Sequence, residues 1–245
     1  TTLEGRISTG VRLPNLADFT RFDVARSGEV EIPAFGLDPE EFVGVEASIR
    51  EQRDSWSWLF TAYFTAIDGM IIRRPTGDVI DGGAAVTKQN AGDGRLYGVE
   101  GSLTWSPAPN LMWRTQFSAQ RGDVDTFPTS EDVSVNEPIS RLAPALMTST
   151  VRWFPHGAPW HLEGRLRWSD LQDRLSSRDR ADTQRIPEGG TPGWTVLDLG
   201  WGVPLDHGSS VGVALENVFD VDYRRHGSGV NEPGRNLVVR FEQSF

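Results

Sequence analysis

The chain has 245 residues, with 24 Lys and Arg against 34 Asp and Glu, a formal net charge of −10, and no cysteine. That balance excludes the basic footprint a nucleic-acid partner requires. The missing thiols exclude a disulfide framework or thiolate metal site, and suit an oxidising envelope compartment. No run of about eighteen apolar residues occurs, which excludes a membrane helix and leaves alternating strands as the means of crossing a bilayer.

Alternation begins at once. Side chains of a strand point to opposite faces with period two. Leu3, Gly5, Ile7, Thr9 and Val11 thus oppose Glu4, Arg6, Ser8 and Arg12. A second strand sets Val43, Val45, Ala47 and Ile49 against Glu46, Ser48 and Arg50, and a third sets Trp56, Trp58, Phe60, Ala62 and Phe64 against Ser57, Thr61, Tyr63 and Thr65. Next come Tyr97 to Trp105, Leu111 to Phe117, and a weaker example from Ala145 to Trp153. The clearest runs from Trp160 to Trp168, where Leu162, Gly164 and Leu166 oppose His161, Glu163, Arg165 and Arg167, with a tryptophan at each end of the apolar row. Leu197 to Val203, Val211 to Phe219 and Leu237 to Phe245 complete about ten strands of about nine to eleven residues, the length of a tilted bilayer crossing.

The connections alternate too. Short turns at residues 107–110, 156–159 and 206–209 join one set of strand ends, and long polar loops at 12–41, 75–94, 122–142, 171–192 and 220–235 join the other. A soluble sandwich uses loops of about four to six residues at both ends, whereas this asymmetry belongs to outer-membrane barrels, long loops outward. The expected fold is therefore all-β: a single barrel unit over 1–245. No secretory leader is visible at Thr1 and Thr2, and Phe245 is in phase with the last apolar row, as in the assembly signal of bacterial barrels; the chain reads as the C-terminal portion of a longer barrel.

Several segments resemble the boxes of TonB-dependent outer-membrane receptors. They are Gly10-Val11-Arg12-Leu13-Pro14-Asn15-Leu16, then Gly36-Leu37-Asp38-Pro39-Glu40-Glu41-Phe42, and Ala66-Ile67-Asp68-Gly69-Met70-Ile71. Asn90-Ala91-Gly92, Thr191-Pro192-Gly193-Trp194, Glu216-Asn217-Val218-Phe219-Asp220 and Pro233-Gly234-Arg235-Asn236 follow in order across almost the whole chain. The resemblance implies a closed barrel of about twenty-two strands around a plug. This chain would supply about ten of those strands, without the plug or the TonB box. It implies a receptor in the cell outer membrane that takes up a scarce nutrient with energy from the TonB complex. The ligand would be a ferric siderophore or similar chelate; haem is disfavoured because no histidine lies between Leu13 and Glu41. Implied partners are outer-membrane lipid and lipopolysaccharide, the plug and missing strands, TonB, and a small nutrient ligand.

Read as chemistry, the same boxes are strand-end devices. Asn217, Asp220 and Asp222 can cap backbone where a strand leaves the bilayer, and Pro233-Gly234-Arg235 turns the chain back. Ligand contacts are expected in the loops, at Arg12, Asp18, Arg21, Asp23 and Arg26 in the longest and at His226 and Arg235 in the last. Arg50, Glu100, Arg114, Glu163, Arg165, Arg167, Asp198, Glu216, Arg240 and Glu242 should line the lumen, pairing with one another or with the plug. No catalytic group, metal site or cofactor is expected: the four histidines have no ligand spacing, and Ser228 lacks the strand-to-helix setting of a nucleophile elbow. Two alternatives stay open: a free-standing ten-stranded outer-membrane barrel (a protease or adhesin), and a soluble carbohydrate-binding module using tryptophans as stacking platforms.

Overall fold

The computed structural model describes residues 1–24 and 28–244. Its elements are β1 (Thr2–Arg12), α1 (Leu16–Thr20), β2 (Asp23–Val24), β3 (Val30–Glu31), β4 (Glu40–Gln52), β5 (Trp56–Ile80), β6 (Gly83–Ala108), β7 (Leu111–Thr126) and β8 (Val135–Pro138), followed by β9 (Leu146–Trp153), β10 (His161–Ser169), α2 (Ser177–Ala181), β11 (Trp194–Pro204), β12 (Ser209–Glu216) and β13 (Asn236–Gln243). Ten of the strands form one antiparallel path, β1-β4-β5-β6-β7-β9-β10-β11-β12-β13. These are the ten alternating segments of the sequence. The three short strands lie off the path, and one of them, β3, pairs with β6 in parallel.

Register carries the apolar face from strand to strand. Leu3 lies opposite Ile49, Ile49 opposite Phe60, Phe60 opposite Gly101, Gly101 opposite Phe117, Phe117 opposite Met147 and Met147 opposite Trp168. A one-residue slip anywhere would turn a whole strand inside out, so the shared face specifies the register. Among the described residues nothing covers this face. Phe60 is 39% exposed in mid-sheet, while Leu3 on the edge strand β1 reaches 77% because it has a neighbour on one side only. A soluble module would bury such rows against a second layer, and none is present among the described residues. β1 and β13 are not paired with each other, so the sheet is open, whereas a free-standing ten-stranded barrel would close on that pair. In lipid, each unpaired edge amide would cost several kcal/mol.

The buried apolar side chains lie instead at the long-loop end. One group, Val30, Ala34, Ile71, Ala85, Val86, Val124 and Phe127, surrounds the upper part of β5 and β6. Here the structure corrects an expectation. Residues 75–94 are not a long polar loop but the upper half of a hairpin, with strands of 25 and 26 residues. Asp81 and Gly82, both at positive φ (51° and 83°), make its two-residue turn between the paired Ile80 and Gly83. The alternation is lost there because this part of the hairpin packs on protein, with β3 and residue 32 docked along Val86, rather than standing between lipid and water. A second buried group, Leu175, Ile186, Val196 and Tyr223, holds the later loops together. The short-turn end is as expected: Phe154 N–H bonds the Asn110 carbonyl, and residues 206–208 form a single 3-10 turn. β12 stops at Glu216, short of Phe219, and the expected role of Phe245 falls outside the described residues.

Candidate functional site in the long loops

The first long loop is tied down by an acid–base network. Arg12 ends β1 directly opposite Glu40, and its guanidinium meets both carboxylate oxygens, Nε to Oε2 at 2.6 Å and Nη2 to Oε1 at 2.5 Å. Its Nη1 also reaches Asp18 Oδ2 at 3.2 Å. Asp18 is held by a reciprocal box at the start of α1: its N–H donates to Asn15 Oδ1 and its own carboxylate accepts the Asn15 N–H. Burial alone would push the Asp18 carboxyl up, but the Asn15 N–H and the Arg12 guanidinium outweigh it and hold it below its ordinary range. Lys88 of β6 stands 3.8 Å from Asp18 and 4.0 Å from Glu31, and Arg21 lies 3.3 Å from Glu31 and 3.7 Å from Asp23. Glu40 and Glu31 are buried, and Glu31 Oε1 has no hydrogen-bond donor among the described residues. Around this network Leu13, Leu16, Phe22, Val24 and Phe35 stand exposed, Phe35 at 91%.

The later loops form a second network. The buried Asp179 carboxylate closes a capping box with Ser176 at α2 and accepts from Ser140 Oγ (2.7 Å) and the Arg141 N–H. Arg141 and Arg185 share one oxygen of Asp182 at 2.5 and 3.0 Å, and Glu137 takes the Ser177 N–H and hydroxyl together with Arg180. His226 joins the group through Nδ1, 2.9 Å from the Thr191 hydroxyl. At the top of β10 and β11, Arg167 is bidentate to Asp198 and bonds the Tyr223 hydroxyl, whose ring lies 4.6 Å from that of Trp194. Among the described residues no group of three His, Asp or Glu side chains is arranged to hold a metal ion.

The structure thus brings Arg12, Asp18, Arg21 and Asp23 into one network and places His226 in another. Arg26 lies outside the described residues. Arg235 acts locally: its N–H donates to Asp220 Oδ1 (2.7 Å) and its Nε to the Val218 carbonyl (2.8 Å). Asn217, at positive φ, bonds Val221 through both its amide groups, the strand-exit cap expected of that box. On the lumen wall, Glu163 joins Arg152 and Arg165, and Arg167 joins Asp198. Arg50, Glu100 and Arg114 have no ion-pair partner among the described residues. Sequence reading missed Glu40, Asp179 and both short helices, α1 and α2. The signals were present as Asn15-x-x-Asp18 and Ser176-x-x-Asp179, each an N-cap residue followed three positions later by an acid.

A family model described as "TonB dependent receptor-like, beta-barrel" matches residues 1–231. No curated protein matches in sequence. Among solved structures, the copper transporter OprC superposes with a TM-score of 0.74 at 16% identity, over 99% of this chain and 37% of its own. The siderophore receptor PirA from Acinetobacter baumannii gives 0.73 at 17% over 99% and 39%, and a G324V mutant of the ferric enterobactin receptor PfeA from Pseudomonas aeruginosa gives 0.71 at 19% over 99% and 38%. The chain therefore spans under two fifths of the length of these proteins, and at such identity the likeness is one of fold.

Proposed function

Since the chain belongs to the TonB-dependent receptors, through their β-barrel, we propose that it is the barrel portion of an outer-membrane receptor that takes up a ferric siderophore or similar chelate with energy from TonB. The observation that carries the reading is the pairing of an uncovered apolar face, continuous over ten strands, with a set of long loops that fold into their own networks at one end only. A wall of this kind belongs in a bilayer, and its loops form the mouth. The unpaired Arg50, Glu100 and Arg114 on its lumen side suit a plug that completes their charge.

For the ligand class, support comes from the first loop. Exposed Phe22 and Phe35 lie in the same loop as Arg21, which keeps about half of its side-chain surface open. Exposed aromatic rings and a half-open guanidinium in one loop suit an anionic chelate better than a neutral sugar. Relatives of the fold include receptors for siderophores and a copper transporter, so an iron chelate is one choice among metal-bearing cargoes. Deleting the whole gene and growing the strain on single iron sources tests this. Growth should fail on one class of ferric chelate and return with the full gene. Unimpaired growth and binding with every ferric chelate, alongside a defect on copper or a vitamin, would overturn the ligand assignment.

A further inference from the structure

We infer that the later loops carry a seat for a free carboxylate of an anionic iron chelate, built on the paired guanidiniums of Arg141 and Arg185. The inference rests on the receptor reading above and names the group its ligand would present. Both arginines close on a single oxygen, Asp182 Oδ2, at 2.5 and 3.0 Å. The other oxygen, Oδ1, is buried and meets no donor among the described residues. One carboxylate thus serves two guanidiniums, and within this trio one positive charge is left unmatched. The shared oxygen also holds the two cations side by side against their mutual repulsion. Nε and Nη1 of Arg141, and Nε and Nη2 of Arg185, meet no acceptor among the described residues. Both side chains are partly open, at 40% and 43% of their surface. An incoming oxyanion would take the donors left over, in the fork geometry by which arginine grips a carboxylate.

The surroundings leave the seat clear. Asp179 is spent on Ser140, Ser176 and the Arg141 N–H, Glu137 on Ser177 and Arg180, and Glu232 on Arg225. Asp173 and Glu188 are exposed, and among the described residues neither pairs with Arg141 or Arg185. Over the arginine stems runs Gly227-Ser228-Gly229. A Cβ at Gly227 would stand 3.7 Å from Arg141 Cδ, and one at Gly229 would stand 3.9 Å from Arg185 Cγ. The glycines bring no side chain to the guanidiniums, and the Ser228 hydroxyl turns away to the Val230 carbonyl (2.8 Å). The same segment leads back to the lumen. Tyr223, a few residues earlier, bonds Arg167, which pairs with Asp198 on the lumen wall. The seat therefore stands at the head of that wall. A chelate with a terminal carboxylate suits it best, since catecholate and hydroxamate oxygens are committed to the iron and leave no free oxyanion.

For the test, the full-length receptor is purified in detergent and binding of ferric citrate is measured by equilibrium dialysis. A neutral ferric trihydroxamate, iron-free citrate and inorganic phosphate serve as further probes. The wild type should bind ferric citrate about tenfold or more tightly than the Arg141→Ala/Arg185→Ala variant, while the trihydroxamate should not distinguish them. Those alanines also release Asp182, so Gly229 supplies a change that leaves it braced. Gly229→Glu tethers a competing carboxylate over Arg185 and should weaken ferric citrate by a similar factor, whereas Gly229→Gln should not. Equal binding by the wild type and the double alanine variant would sink the seat, as would equal binding by the Glu and Gln variants. So would complete displacement by millimolar inorganic phosphate, which would make it a site for free anions. Arginine-dependent binding of iron-free citrate, with neither ferric complex bound, would keep the seat and end the iron-receptor reading.

Discussion

Asp179 is 1% exposed, yet it is bonded from three directions, by the Ser140 hydroxyl, the Arg141 N–H and the Ser176 cap. Such a carboxylate is a structural knot, since removing it would strand donors from two loops at once. His226 sits close by. Burial pushes its imidazole below the ordinary 6.5; Asp179 opposes that shift and Arg141 adds to it. The histidine of an opened loop would take a proton near 6.5 while the packed one takes it only at lower pH. Its contribution is therefore complete above about 6.5 and is lost as the pH falls below that value. Hydrogen exchange of residues 171–192 and 220–235 should speed up, beyond the intrinsic pH effect, between pH 7.5 and pH 5.5. His226→Gln should abolish that extra sensitivity, since it titrates nowhere in the range. Sequence showed that these loops were rich in charge, but not that the charges were spent on one another. Pairing between loops 40 residues apart, as for Arg141 and Asp182 (41 apart), leaves no periodic trace.

At the scale of elements, the strands were legible wherever lipid and water lie on opposite sides, because only there must chemistry alternate residue by residue. All ten path strands meet that condition over part of their length. The upper hairpin does not, which is why a ladder as long as 25 residues could be taken for a loop after its first half. Its stability comes from a small core outside the belt, where Val86 is fully buried between β3 and the hairpin. Val86→Asp places an unpaired charge there, and should weaken this core by about 3–5 kcal/mol. Limited proteolysis of the full receptor should then cut near residues 28–34 and 75–86. The belt should survive, retaining the heat-modifiable migration of an intact barrel; loss of both together would show that the hairpin core and the wall are one unit.

For the whole molecule, orientation of the tryptophans is the sharpest consequence of the register. Trp105, Trp113, Trp153 and Trp201 point outward in the belt, whereas Trp194 packs on Tyr223 at the loop end and faces the lumen side. In single-tryptophan versions of the full receptor, brominated lipid should quench the first four strongly and leave Trp194 nearly untouched. Comparable quenching at Trp194 would mean that the face assignment is inverted. Burial of the belt in lipid, and closure of the edges at β1 and β13, both call on partners beyond this sheet, so neither was to be found in pairings within it.

The β5–β6 ladder has irregular pairing in two places, between Ile67 and Ile71 and between Pro75 and Val79. At the lower one, side chains stand in for the missing rungs. Glu40 accepts the Ile71 N–H at 2.8 Å, Asn90 donates to the Gly69 carbonyl at 2.7 Å, and Asp93 receives the Gly69 N–H. Mechanically, the hairpin is a mast stepped on the wall with one stayed joint, and the stay is the carboxylate that also moors Arg12. Arg12 and the Ile71 N–H thus meet at one oxygen, Glu40 Oε1, so the first loop and the foot of the mast are lashed to a single cleat.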